Sequence, residues 1–122
     1  MFLQILFNFE VNPSMSAKRI PNWLIIWVWN SLLGEIYPAI RAIAVSFSDK
    51  KELIIRYYLN REPSECDFEN IEVVITNILA NTSSASEITK VQAECLFSKE
   101  PLNKLDPLDG FVYAKREQGD NE

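Results

Sequence analysis

Residues 34–81, GEIYPAIRAIAVSFSDKKELIIRYYLNREPSECDFENIEVVITNILAN, contain the clearest structural pattern of this chain. Two runs within this stretch alternate with a period of two, and the polar residues 49–51 join them. One face of the first run carries Arg41, Ile43, Val45 and Phe47, and one face of the second carries Leu53, Ile55, Tyr57 and Leu59. Such a pair of runs predicts an antiparallel β-hairpin.

After Pro63 the apolar pattern changes to the helical period of about 3.6 residues. Ser64 followed by Asp67 has the form of a capping box, which marks the helix start. The face predicted to pack on the hairpin carries Phe68, Ile71, Val74, Ile75, Ile78 and Leu79. We therefore predict an amphipathic helix lying on the hairpin.

A second helix is predicted before the hairpin, over residues 23–33. This run is almost wholly apolar, with Pro21 before it and Gly34 after it. It is about half the length of a membrane span, which needs roughly 20 residues. Trp27 and Trp29 are about 200° apart on a helix, so we expect at least one of the three tryptophans at the periphery.

Two further strands are predicted beyond the amphipathic helix. Residues 91–97 alternate in polarity, and a leucine-containing loop with an Asp-Gly turn leads to a last strand over residues 111–116. The predicted fold class is α+β: two layers, with a roughly four-stranded, mainly antiparallel sheet and both helices on one face. The predicted order is helix, hairpin, helix, strand, strand.

The length of 122 residues predicts a single domain, over residues 20–117. Residues 1–19 are interpreted as a poorly packed extension, with Met15 as a natural second start, and residues 118–122 as a polar tail. We expect deletion of residues 1–14 to leave thermal stability nearly unchanged. No basic region precedes the apolar start, so we expect no secretory signal and a cytoplasmic protein.

The residue inventory excludes most catalytic chemistry. The chain has no histidine, three glycines and two cysteines, and it lacks the phosphate-binding and nucleophile-elbow motifs. Cys66 and Cys95 are interpreted as ordinary reduced thiols. Glutamates at 65, 69 and 72 would line one exposed helix face, but without histidine or a calcium-loop motif we expect no metal site. We expect neither enzymatic activity nor a cofactor.

Negative charge is concentrated in one half of the chain. Residues 62–109 hold ten acidic residues and three lysines, a net charge of −7, and the remaining residues are net +2, which sums to −5. A solvated helix face explains this pattern as well as a binding surface does. As a binding surface it would suit a basic protein, because opposite charge raises the association rate, and it disfavours a nucleic acid.

Several short stretches resemble a known family: LLGEI (32–36), Pro38, RAIA (41–44), IRYYL (55–59), REP (61–63), and LDPLDG with FVYA (105–114). Together they resemble immunity proteins of contact-dependent growth inhibition systems (CdiI type) over residues 23–117. The resemblance implies a non-enzymatic cytoplasmic protein that binds and blocks the C-terminal toxin domain, often a nuclease, that a neighbouring cell delivers.

From charge and exposure we predict the toxin-binding residues Tyr58, Glu62, Glu65, Asp67, Glu69, Glu72, Asp106 and Asp109, with the carboxylates steering a basic partner and Tyr58 as an exposed aromatic anchor. The loop over residues 99–109 is an equally reasonable contact surface. Two other functions stay open, a small adaptor or regulatory module and a carboxylate-dependent hydrolase. No membrane contact is expected, and the sequence leaves the oligomeric state open.

Overall fold

The computed structural model describes residues 20–82 and 87–117, and the predicted extension and tail lie outside them. The described residues form two α-helices, α1 (Asn22–Leu32) and α2 (Glu65–Leu79), and four strands, β1 (Ile40–Phe47), β2 (Glu52–Leu59), β3 (Lys90–Phe97) and β4 (Gly110–Ala114). The α+β class is confirmed. The order along the chain differs from the predicted one, because a 3-10 helix (Leu102–Lys104) lies between β3 and β4.

The sheet is mixed, so the prediction of a mainly antiparallel sheet is wrong. Its strand order is β3-β2-β1-β4. β1 runs antiparallel to β2 and to β4, whereas β3 runs parallel to β2. The reason is the connection: α2 carries the chain back along the sheet before β3 begins, and such a crossover joins parallel neighbours.

The main core lies between the helices and one face of the sheet. The predicted inner residues of β2, Leu53, Ile55, Tyr57 and Leu59, are at most 1% exposed, which confirms that face of the hairpin. Helix residues from both layers join them in one buried cluster, among them Leu24, Val28, Leu32, Ile71, Val74 and Ile78.

The second face of the sheet is also covered over β1 and the end of β2, which the hairpin pattern did not predict. Ala42 and Ala44 of β1 are fully buried there, in a cluster with Tyr58 and Leu105. Small side chains let the loop between β3 and β4 approach the sheet closely. β1 is therefore buried on both faces from Ile40 to Val45.

Arg41 departs from the predicted alternation of β1. The register shifts between Ile40 and Ala42, so Arg41 occupies an irregularity in the strand. It is 7% exposed, and its Nε and Nη2 donate to the Glu117 carboxylate at 2.8 and 2.9 Å. Nη1 donates to the Ser98 carbonyl at 2.8 Å. The guanidinium therefore ties β1 to the end of β3 and to the end of the domain.

The first helix ends, and the second begins, close to the residues that the sequence patterns predicted. Gly34 has φ of +79°, a conformation that glycine adopts without strain, and it ends the turn after α1. At the start of α2 the Asp67 carboxylate accepts the Ser64 N–H at 2.7 Å, which confirms the capping box. Trp23 is 37% exposed, as expected for one of the three tryptophans.

Candidate functional site

The exposed face of α2 carries carboxylates and no basic side chain. Its sequence, ECDFENIEVVITNIL, contains three glutamates, one aspartate and no lysine or arginine. Glu65, Glu69 and Glu72 are exposed, and we call these three the acidic face. Glu62, in the loop before the helix, is exposed as well. Glu69 and Glu72 border a shallow depression of about 280 Å³, which Val73, Thr76 and Asn77 also line. These predicted site residues are therefore accessible to a partner.

Asp67 is buried, so the expectation that it belongs to an exposed carboxylate surface is wrong. It is 1% exposed, and its two oxygens accept from Arg61 Nη1 at 2.6 Å and Nη2 at 3.0 Å. Tyr37 Oη donates to it at 2.5 Å, and Ser64 N at 2.7 Å. The Arg61 guanidinium, with the Tyr37 and Ser64 donors, holds the pKa of this carboxyl well below its usual range although burial opposes that shift.

A second set of polar contacts lies under α2. Tyr57 Oη donates to Asn70 Oδ1 at 2.7 Å, and Asn70 Nδ2 donates to the carbonyl and carboxylate of Glu35 at 3.2 and 3.1 Å. Burial raises the pKa of the Tyr57 hydroxyl above its usual range, so it remains a donor at neutral pH. These contacts fix one side of α2 against the segment that follows α1.

Tyr58 is buried, so it is not the exposed aromatic anchor that we expected. It is 4% exposed, and its hydroxyl donates to the Asp106 carbonyl at 2.9 Å. Its ring meets Phe111 edge to face, with the centroids 6.4 Å apart. Successive side chains of a strand point to opposite faces, and Tyr57 faces the helices, so Tyr58 faces away from them. It closes the second cluster of the fold.

Asp106 and Asp109 shape the loop that covers this second face. Asp106 is exposed, and its Oδ1 accepts the Leu108 N–H at 2.9 Å. Asp109 Oδ2 accepts the Phe47 N–H at 2.8 Å and anchors the loop to the end of β1. Because the loop packs on the side of the sheet opposite α2, the structure does not bring these two aspartates together with the acidic face.

Comparison with protein families identifies the kind of protein. A model of the MafI2 immunity protein family matches residues 21–117, which span the described helices and strands. The chain belongs to this family. No curated protein matches it in sequence. The expectation of an immunity protein is therefore confirmed at the level of the family, which is coarser than the contact-dependent growth inhibition type.

Two residues of this MafI2 family member that were predicted to pack on the hairpin are exposed and form an apolar surface. Phe68 is 43% and Leu79 is 39% exposed. Both lie roughly 90–110° around the helix from the centre of the buried stripe of Ile71, Val74 and Ile78. A narrower definition of the core face, centred on those three residues, would have placed Phe68 and Leu79 at its margin.

The remaining chemistry of this immunity protein family member is limited. Among residues 20–82 and 87–117, no group of three or more Cys, Asp or Glu side chains is placed to hold a metal ion. None of the helices in that part of the chain has the length and hydropathy of a membrane span. Cys66 is exposed and Cys95 is buried, both without a disulfide. Burial raises the pKa of the Cys95 thiol to about 11, which leaves it protonated and unreactive at neutral pH.

Proposed function

We propose that this protein binds a cognate toxin domain and neutralises it by occupying the surface that the toxin needs for activity. Its membership of the MafI2 immunity protein family is the observation that carries the proposal. It acts in the cytoplasm of the cell that makes it, by binding rather than by turnover. The toxin is the C-terminal domain of a larger protein that a neighbouring cell delivers by contact.

The charge of α2 supports a basic toxin, and we propose a nuclease. A helix with three exposed glutamates and no basic side chain presents a negatively charged surface. Nuclease clefts are positively charged because they bind phosphates. Carboxylates on the acidic face would occupy the positions that phosphates take in such a cleft, and they would also raise the association rate.

Titration of toxin activity tests this function. The toxin domain encoded beside the gene is purified, its activity on DNA and RNA is measured, and the immunity protein is added in increasing amounts. We expect inhibition to be complete near one equivalent. A toxin domain from an unrelated system, assayed in the same way, should not be inhibited. Full toxin activity in the presence of excess folded protein would contradict the proposal.

A further inference from the structure

Among residues 20–82 and 87–117, no strand pairs with the outer edge of β3, so this edge offers backbone groups to a partner. β3 is an edge strand of eight residues, and no other strand of the described chain lies beyond it. Ser98 N–H donates to the Leu59 carbonyl of β2. Hydrogen-bonding groups alternate in direction along a strand, so the N–H and C=O groups of Val91, Ala93, Cys95 and Phe97 point outward. An edge of this length is a template for strand addition.

The helix layer covers this edge incompletely. The inward residues of β2 are fully buried. Of their four neighbours on β3, Cys95 is buried, but Val91, Ala93 and Phe97 are only half-buried. A strand added beyond β3 would complete the layer, with its own alternate side chains facing the helix side. Those side chains should be apolar.

Exposed apolar side chains of α2 lie on the side of the helix that faces the same edge. Asn70 lies about 70° to one side of the buried stripe, and it donates to Glu35 in the segment that follows α1. α2 contacts β3, whereas α1 contacts β4 at the opposite edge of the sheet. The side of α2 opposite Asn70, which carries Phe68 and Leu79, is therefore the side toward β3. Both are exposed, and Ile75 between them is half-buried. We call Phe68, Ile75 and Leu79 the apolar margin.

The acidic face adjoins this apolar margin. At 100° per residue, Glu72 lies about 20° from Leu79 around the helix axis, and Glu65 and Glu69 follow beyond it. A partner strand lying along β3 beneath the apolar margin would therefore come close to these carboxylates. Lysine or arginine residues flanking that strand would be attracted to them.

We propose that the toxin domain docks by adding an extended strand to the β3 edge, with apolar side chains against the apolar margin and flanking basic residues near the acidic face. The inference rests on the proposed function and deepens it by naming the contact surface. A second copy of the chain fits less well. Pairing two β3 edges about a two-fold axis would place the two α2 helices side by side, with like charges close together.

Residue-resolved amide hydrogen exchange tests the docking mode directly. In the free protein the outward amides of Val91, Ala93, Cys95 and Phe97 should exchange quickly, and in the complex with the toxin domain they should exchange at least about tenfold more slowly. The inward amides of Gln92, Glu94 and Leu96 bond to β2 in both states and provide the internal control.

Two substitutions test the same surface by affinity. Ala93→Pro removes an outward N–H, a change that an edge strand tolerates, and Phe68→Ala removes a side chain of the apolar margin. Each should raise the Kd for the toxin domain about tenfold or more. Ile26→Ala is the matched control, because Ile26 is 52% exposed on α1. Circular dichroism confirms folding, and Phe68→Ala gives the answer if Ala93→Pro does not fold.

The outcomes separate the two proposals. Neutralisation of the toxin without slower exchange at the outward amides would overturn strand addition and leave the immunity function standing. Absence of both binding and neutralisation would overturn the immunity function itself. Slow exchange of the outward amides in the free protein, together with a doubled mass in solution, would show a second copy at the edge and would also overturn the inference.

Discussion

At the scale of single residues, Asp67 connects three segments of the chain. Its carboxylate accepts hydrogen bonds from the segment after α1, from the loop after β2 and from the N-cap residue of α2. Asp67 is almost fully buried, whereas the Arg61 side chain is 45% exposed. Because the Arg61 side chain is partly exposed, solvent screens the attraction between the two charges. The hydrogen bonds therefore contribute more to folding stability than the charge attraction does.

Replacement of Asp67 by asparagine should destabilise the protein. The amide side chain would keep the shape of the carboxylate but lose the charge-assisted bonds to Arg61 and Tyr37 and weaken the helix cap. We expect the free energy of unfolding at pH 7 to fall by about 1–3 kcal/mol. Urea denaturation measures it. Glu69→Gln on the acidic face is the control, with an expected change within about 0.5 kcal/mol. Equal effects of the two substitutions would contradict the role of Asp67.

The lowered pKa of Asp67 predicts that the folding stability of the protein depends on pH. The pKa of Asp67 is lowered on folding, so the unfolded state binds its proton more readily and acid favours unfolding. Its stabilisation is fully present above about pH 5 and is lost as the pH falls below the ordinary aspartate pKa of about 3.9. The stability difference between the wild type and Asp67→Asn should therefore shrink from pH 6 to pH 3. Glu117, whose pKa Arg41 lowers, is present in both proteins and cancels in this difference. A constant difference would contradict the assignment.

At the scale of elements, α2 contributes buried residues on one side and negative charge on the other. Its buried stripe packs on β2 and β3, while Glu65, Glu69 and Glu72 face solvent. Surface carboxylates of this kind add little to folding stability, because water and salt screen them. They can still accelerate the encounter with a basic partner. Their effect should therefore appear in association kinetics rather than in stability.

Charge reversal on α2 tests whether the acidic face acts on the association rate. Glu69→Lys combined with Glu72→Lys should slow association with the toxin domain about tenfold at low salt and less at high salt, because the attraction becomes a repulsion. Asp49→Lys combined with Glu52→Lys makes the same change in net charge on the exposed hairpin turn and is the matched control. Stopped-flow mixing at two salt concentrations measures the rates. An equal loss of rate in both variants would indicate a general charge effect and contradict a local acidic face.

In the molecule as a whole, β1 is the strand that is buried on both faces of the sheet. The helices cover one face, and the loop with the 3-10 helix covers part of the other, where Leu105 and Tyr58 pack on Ala42 and Ala44. Because β1 contributes residues to both buried clusters, disrupting either cluster should destabilise the entire sheet. We therefore expect the loop to unfold together with the strands.

Leu105→Ala tests this cooperation. Leu105 is 7% exposed, and its truncation should lower the free energy of unfolding by about 2–3 kcal/mol, the lower part of the range for buried leucines. Unfolding should remain one transition by tryptophan fluorescence and by circular dichroism. Leu33→Ala, at a position 67% exposed, should change stability by less than about 0.5 kcal/mol. Two separate transitions in the wild type would contradict the coupling of loop and sheet.

Local sequence patterns were sufficient to predict the hairpin, the capped helix, the apolar first helix and the exposure of Glu65, Glu69 and Glu72. Periodicity and turn chemistry act over a few residues, so they are readable without a structure. The parallel direction of β3 relative to β2 and the burial of Asp67 and Tyr58 became evident only from the folded chain. Those outcomes depend on groups distant in the chain: the path of α2 over the sheet, the Tyr37 hydroxyl, and the loop that covers Tyr58. Burial is a property of what packs on a residue, and a local pattern does not contain that information.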